Sequence, residues 1–218
     1  SSEVALLRST AEGFNATGHG LVLRDGDEVV FGADDHPAAR AVWAILARRH
    51  GITPVPVVLP SGDDAAILDA VKSRMTPRTR LISLSHVNSE NGMRAPAREL
   101  AGLAHRSGAL LMLDGCQAIG QFPIDMRELD CDFYAAGAYK WLLAPFGTAF
   151  LYAKESLLPR IEPSWGGASR AVRFDPAERM WEASPTGERF EFGARYWPLV
   201  RATGAAVDFV DAAGPSRI

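Results

Sequence analysis

ALLMLDGCQ, residues 109–117, decides the fold: an unbroken apolar run, then a carboxylate, a glycine, a thiol and an amide. A wholly apolar run this short reads as a strand covered on both faces, the setting of a parallel strand flanked by helices. Immediately upstream, residues 96–107 have helical character and meet Gly108, a C-cap candidate. Downstream, residues 132–136 and 148–152 (TAFLY) read as two more strands. The same alternation runs back towards the start. Residues 28–31 read as a strand closed by Gly32, and 36–50 (HPAARAVWAILARRH) as a helix with Val42, Ile45 and Leu46 on one face. Pro37 suits its first turn, where a missing N–H costs nothing. Residues 53–59 (TPVPVVL) form a strand whose prolines place it near a sheet edge. Residues 63–75 follow as an amphipathic helix and 81–85 as a buried strand. Alternation at this spacing predicts an α/β fold, a three-layer sandwich around a mostly parallel mixed sheet, joined by right-handed crossovers.

Residues 162–191, rich in proline, glycine and charge, read as an irregular excursion, and 196–212 resume as a helix. With 218 residues and 47% hydrophobic content, one domain is the default. Both ends look cut: residues 4–7 run straight into STAEGFN, and the chain stops at GPSRI, so a fragment of a longer protein is expected. The net charge of −3 includes no basic block, which argues against a nucleic-acid partner. Cys116 and Cys131 make no disulfide framework, no Cys-His cluster has metal spacing, and no apolar run is long enough to cross a bilayer. A cytoplasmic protein without a metal or a membrane partner is the expectation. Of the 23 basic residues only Lys72, Lys140 and Lys154 are lysines, so chemistry that needs a primary amine has three candidates.

Ligands of open α/β sheets sit at the carboxyl ends of strands, and four polar features fall near such positions. Asp114 stands at the mouth of the apolar strand, with Gln117 three residues on; a half-desolvated carboxylate there needs a cation or an N–H, or else simply caps the next turn. Lys140 follows DFYAAGAY, where partial desolvation would make its amine a usable nucleophile. Lys72 on an amphipathic helix and Lys154 after a strand look like ordinary surface lysines. Residues 9–13 (STAEG) lead into a helical turn whose free N–H groups suit a phosphate, although Ser-Thr-x-Glu also spells a plain helix cap. Residues 86–92 (HVNSENG) offer polar side chains after a strand, or only a turn. A phosphate cradle, a carboxylate for a ring nitrogen, an amide for a phenolic oxygen and an imine-forming lysine are together the parts that hold pyridoxal 5′-phosphate (PLP).

The stretches SHVNSENG (85–92), ALLMLDGCQAIGQFPIDM (109–126) and DFYAAGAYKWLLAPFGTAFLY (132–152) resemble the class V aminotransferase family of fold-type I PLP enzymes. That family includes cysteine desulfurases, isopenicillin N epimerase-like proteins, kynureninases and C–S lyases. The resemblance implies the PLP-dependent transferase-like large domain, without its terminal small domain. It also implies that Lys140 carries the cofactor as a Schiff base and shuttles protons, while Asp114 pairs with the pyridine nitrogen and Gln117 with the phenolic oxygen. His36 in DDHPA would stack on the ring, although a His before Pro also starts helices. Thr10 and Ala11 would bind the phosphate, and Asn88 would face the substrate carboxylate or the ring oxygen. Where desulfurases read Ser-Gly-His-Lys, this chain reads Gly137-Ala138-Tyr139-Lys140, as kynureninases and some C–S lyases do, which assigns the Tyr139 hydroxyl to the phosphate. The family's Gly-Thr is replaced by Gly193-Ala194-Arg195, which removes a phosphate contact across subunits, and Trp165 suits either a partner's cofactor or a plain interface.

The implied function is a PLP enzyme acting on a small amino-acid substrate, as a homodimer with active sites near the subunit boundary. Transamination, C–S lyase and epimerase outcomes share these core residues. A desulfurase is less favoured because neither Cys116 nor Cys131 looks like a mobile-loop thiol. A non-catalytic protein of the same fold is the alternative from another class.

Overall fold

The computed structural model describes residues 2–167 and 171–214. In chain order its principal elements are β1 (Val4–Leu7), α1 (Thr10–Gly20), β2 (Glu28–Gly32), α2 (Pro37–His50), β3 (Thr53–Val57), α3 (Asp64–Arg74), β4 (Thr79–Ser85), α4 (Ala97–Arg106) and β5 (Leu110–Asp114). They continue with α5 (Met126–Leu129), β6 (Phe133–Gly137), β7 (Ala149–Ala153), β8 (Ala171–Asp175), β9 (Met180–Ala183) and α6 (Trp197–Ala213).

Seven strands form one sheet in the order β1-β7-β6-β5-β4-β2-β3. All neighbours from β3 to β6 are parallel, while β7 runs antiparallel to both β6 and β1. The expected mixed, mostly parallel sheet is therefore present, and proline-bearing β3 lies at its edge. Side chains alternate between faces with the period of two that a pleated strand imposes. Met112, Phe133 and Ala135 pack with Phe14 of α1 and Val42, Trp43 and Leu46 of α2 on one face. Leu111, Leu113, Tyr134 and Ala136 pack with α3 and α4 on the other. Helices on both faces complete the three layers.

The chain steps from β2 outward to β3, then crosses β2 to β4 and continues through β5 to β6. This reversal of strand order at β2/β4 leaves a crevice beyond the strand carboxyl ends. Because β1 runs antiparallel to β7, its carboxyl end opens on the same side and delivers residues 8–11 to that crevice.

Three readings need correction. Residues 4–7, for which the sequence gives no strand expectation, are β1 itself, paired along its length with β7. Within 36–50, Trp43 rather than Ile45 completes the buried face; Ile45 is exposed, because α2 turns Val42, Trp43 and Leu46 together towards Phe14. The excursion 162–191 carries an antiparallel ribbon, β8 with β9, whose apolar Val172 and Phe174 are exposed. Residues 168–170, which take in the end of PSWGGAS, and 215–218, within GPSRI, lie outside the described residues.

Candidate active site

Each strand that ends at the crevice hands over to a loop with a local reason for its shape. After β1, Ser9 caps α1 by accepting the Glu12 N–H at 3.2 Å, and the Glu12 carboxylate reaches back to the Arg8 N–H at 2.8 Å. This reciprocal capping holds the helix start in place. The first-turn N–H groups of Thr10 and Ala11 have no partner within the helix and face an anion-favouring helix end. After β2, His36 caps α2, its Nδ1 accepting the Ala38 N–H at 3.2 Å, so the proton sits on Nε2. The plain helix-start role and a place in the crevice thus belong to the same side chain.

Beyond β5 the chain turns sharply at Gly115, where a Cβ would collide with the Tyr134 ring. The turn leaves Asp114 buried, with Oδ1 accepting the Cys116 N–H at 2.9 Å. Burial pushes the Asp114 carboxyl up from its ordinary value; the Cys116 N–H and the charge of Lys140 oppose the shift. Asp35, also buried, is pushed up by its burial and by Asp114, against the Ser85 N–H that it accepts at 3.1 Å. Gln117 turns its Oε1 to the Trp141 indole N–H at 2.9 Å. An indole only donates, so the Gln117 NH₂ is the end left for a ligand.

Ser9, Thr10, Ala11, His36, Asp114, Gln117, Tyr139 and Lys140 line one cavity of about 210 Å³. Lys140 is half-buried there, and Tyr139 stacks on Phe146 with centroids 4.7 Å apart. Burial raises the Tyr139 phenol. Ser85, Ser89 and Cys116 join the lining although no role was read for them in the sequence. The two serines were visible in SHVNSENG; Cys116 had no local signal, since its side-chain partners Thr10 and Gly137 are remote in sequence.

Asn88 is the exception. Its Oδ1 accepts the N–H groups of Glu90 and Asn91 at 2.8 and 3.3 Å, and it lines a separate recess with Gly32, Asp35 and Asn91. The tight return at Gly92, where φ is +72°, draws the amide into the turn and away from the Lys140 cavity.

The donor set fits PLP. A carboxylate driven up by burial gains from a protonated ring nitrogen, free helix N–H groups suit a phosphate, and an amine stands on the same cavity. Among the described residues no group of His, Cys, Asp and Glu is placed to hold a metal, and no helix is long and apolar enough to cross a membrane.

Comparison with known proteins agrees with this arrangement. The family model for class-V aminotransferases matches residues 1–218. A cysteine desulfurase of Cronobacter sakazakii is 35% identical over 99% of this chain and 53% of its own length. The solved structure of the Escherichia coli cysteine desulfurase CsdA superposes with a TM-score of 0.90 at 25% identity, covering 99% of this chain and 54% of that one. The cystine C–S lyase C-DES, solved with its product cysteine persulfide, superposes at 0.87 with 28% identity, over 98% of this chain and 57% of that one. The chain thus spans about half the length of the relatives it matches. With this fold, this crevice and a family match along its whole length, the chain belongs to the class-V aminotransferases, a family of PLP enzymes.

Proposed function

We propose that this chain is one cofactor-binding large domain of a cytoplasmic, homodimeric PLP enzyme that acts on an amino acid through Lys140. The observation that carries the reading is the convergence of the Lys140 amine and the Asp114 carboxylate on one cavity. Bound there, PLP supplies an aldehyde for amines to condense with and a protonated ring that draws electrons from the substrate Cα. Lys140 is the amine that would hold it and then carry a proton to or from Cα. Asp114, favoured as a partner of a cation by its burial, keeps the ring nitrogen protonated. Gln117 donates its NH₂ to the phenolic oxygen, and His36 covers one ring face. Thr10, Ala11 and Tyr139 hold the phosphate. Asn88, bonded into its turn, acts by shaping the loop rather than by touching substrate.

Carbon–sulfur cleavage of cysteine or cystine is the reaction best supported, because relatives matched along this chain are cysteine desulfurases and a cystine C–S lyase. Transamination and epimerisation would use the same residues.

The test is borohydride reduction of the full-length protein after PLP is supplied. Mass mapping should place the fixed cofactor on Lys140; absence of any visible absorbance would leave a non-catalytic fold. Incubation with cysteine, cystine and alanine then separates the outcomes, as sulfide or persulfide, keto acid, or inverted stereochemistry.

A further inference from the structure

We infer that Cys116 is a positioning residue for the anion end of the cavity: its thiol sets the direction in which the Thr10 hydroxyl offers its proton. The inference rests on the cofactor reading above and extends it to a side chain to which that reading gives no role.

Besides the Asp114 carboxylate, which the thiol also reaches, two groups meet the Cys116 sulfur. The Gly137 N–H donates to Sγ at 3.2 Å, and since an amide N–H only donates, sulfur is the acceptor there. Thr10 Oγ1 lies 2.7 Å from the same sulfur, with either atom able to donate. A phosphate in the cavity settles the choice. Its oxygens without protons only accept, so Thr10 turns its O–H to them; with Asp114 engaged by the ring nitrogen and by the Cys116 N–H, the Cys116 S–H then donates to Oγ1. The bonds run in one sense, from Gly137 N–H to Sγ, from S–H to Oγ1, and from O–H to the anion. Chains of this kind polarise each member in turn. Burial and the neighbouring Asp114 push the Cys116 thiol up, which keeps the proton on sulfur at neutral pH. The backbone N–H of the same residue is already committed to Asp114. One residue therefore ties the start of α1, the end of β6 and the carboxylate that ends β5. Alanine at this position would leave the Gly137 N–H without its acceptor and Thr10 free to rotate. Serine would keep one donor and one acceptor.

The test uses the full-length protein freed of cofactor and titrated, through visible absorption, with PLP and separately with pyridoxal, which lacks the phosphate. Cys116→Ala should raise the Kd for PLP about fivefold, the loss expected for one hydrogen bond between neutral groups. The Kd for pyridoxal should stay within about twofold of wild type, and Cys116→Ser should recover most of the loss. Thr10→Val should show the same phosphate-selective weakening. The double variant should lose no more than either single, because both changes break one chain of bonds. Equal weakening towards both ligands, no weakening towards either, or a serine variant as poor as alanine overturns the inference. Melting of the cofactor-free forms is measured alongside; if Cys116→Ala does not fold, Cys116→Ser and Thr10→Val decide. Wild type that takes up neither ligand overturns the cofactor reading along with the inference. Wild-type uptake with an unselective Cys116→Ala overturns the inference alone.

Discussion

Glu28 and Asp114 are carboxylates of similar burial, 3% and 8% exposed, at opposite ends of parallel strands in one sheet, and their acidities move in opposite directions. Glu28 begins β2 and is fully served by the chain: it accepts from Thr76 Oγ1 at 2.6 Å, Thr79 Oγ1 at 3.3 Å and the Arg78 guanidinium at 2.9 Å. The Thr76 hydroxyl, with help from Arg78 and Thr79 and against burial, holds it below the usual carboxylate range. Asp114 ends β5 with only the N–H and the weakly donating thiol of Cys116 to serve it among the described residues, and burial pushes it up. The same chemical group is a structural clamp where its bonds are closed and a binding group where they are left open. Stability is gathered at one end of the sheet and given up at the other.

Four substitutions would break or sharpen this contrast. Lys140→Ala should cut turnover about 10³-fold by removing the proton carrier. It should abolish borohydride fixation, yet leave the denaturation midpoint close to wild type because Lys140 is only half-buried. A large loss of stability would mean that the site end also clamps the fold. Glu28→Ala should do the reverse, costing about 3 kcal/mol in a denaturant titration, since buried donors lose their acceptor, with PLP affinity unchanged.

His86 tests the region behind the cavity. It is fully enclosed, with Nδ1 3.0 Å from the Tyr134 hydroxyl, and burial, with a smaller push from the charge of Arg94, brings it down to about 4. Its folded value lies below the value of about 6.5 in the unfolded chain. The stability it contributes is therefore complete above that unfolded value and is lost as pH falls towards the folded one. Wild type should lose about 2 kcal/mol between pH 7 and pH 5 from this group, and His86→Asn should flatten that slope. The smallest effect is the most telling. Asp114→Asn keeps an acceptor for the Cys116 N–H but removes a charge that burial disfavours. The cofactor-free protein should gain about 1 kcal/mol in a melt while its PLP affinity falls. A destabilised Asp114→Asn would place Asp114 in the same class as Glu28.

Much of the central sheet was legible because its signals are local. The apolar run before Asp114 has one environment that suits it, and the prolines of β3 exclude an interior position. The convergence of Thr10, His36, Asp114 and Lys140 on one cavity was legible only through order and spacing, because each residue alone has an ordinary explanation. What escaped depends on contacts remote in sequence. Residues 4–7 become a strand only because β7 supplies the pairing, and the β8–β9 ribbon leaves its alternating apolar side chains exposed. Cys116 shows its part only when the start of α1 and the end of β6 are brought beside it. Asn88 lies apart from the Lys140 cavity for the opposite reason, a purely local turn that a polar cluster at a strand end conceals.

The pairing of β1 also has a consequence for biosynthesis. Among the described residues its sole sheet neighbour is β7, with Val4 opposite Tyr152 and Leu7 opposite Ala149. β1 therefore finds its place only after residues 149–153 have been made, a long loop to close. Until then the Ser9–Ala11 segment is not anchored beside the lysine-bearing loop. The crevice is assembled late, because cofactor capture has to wait until β1, made well before its partner β7, has been paired.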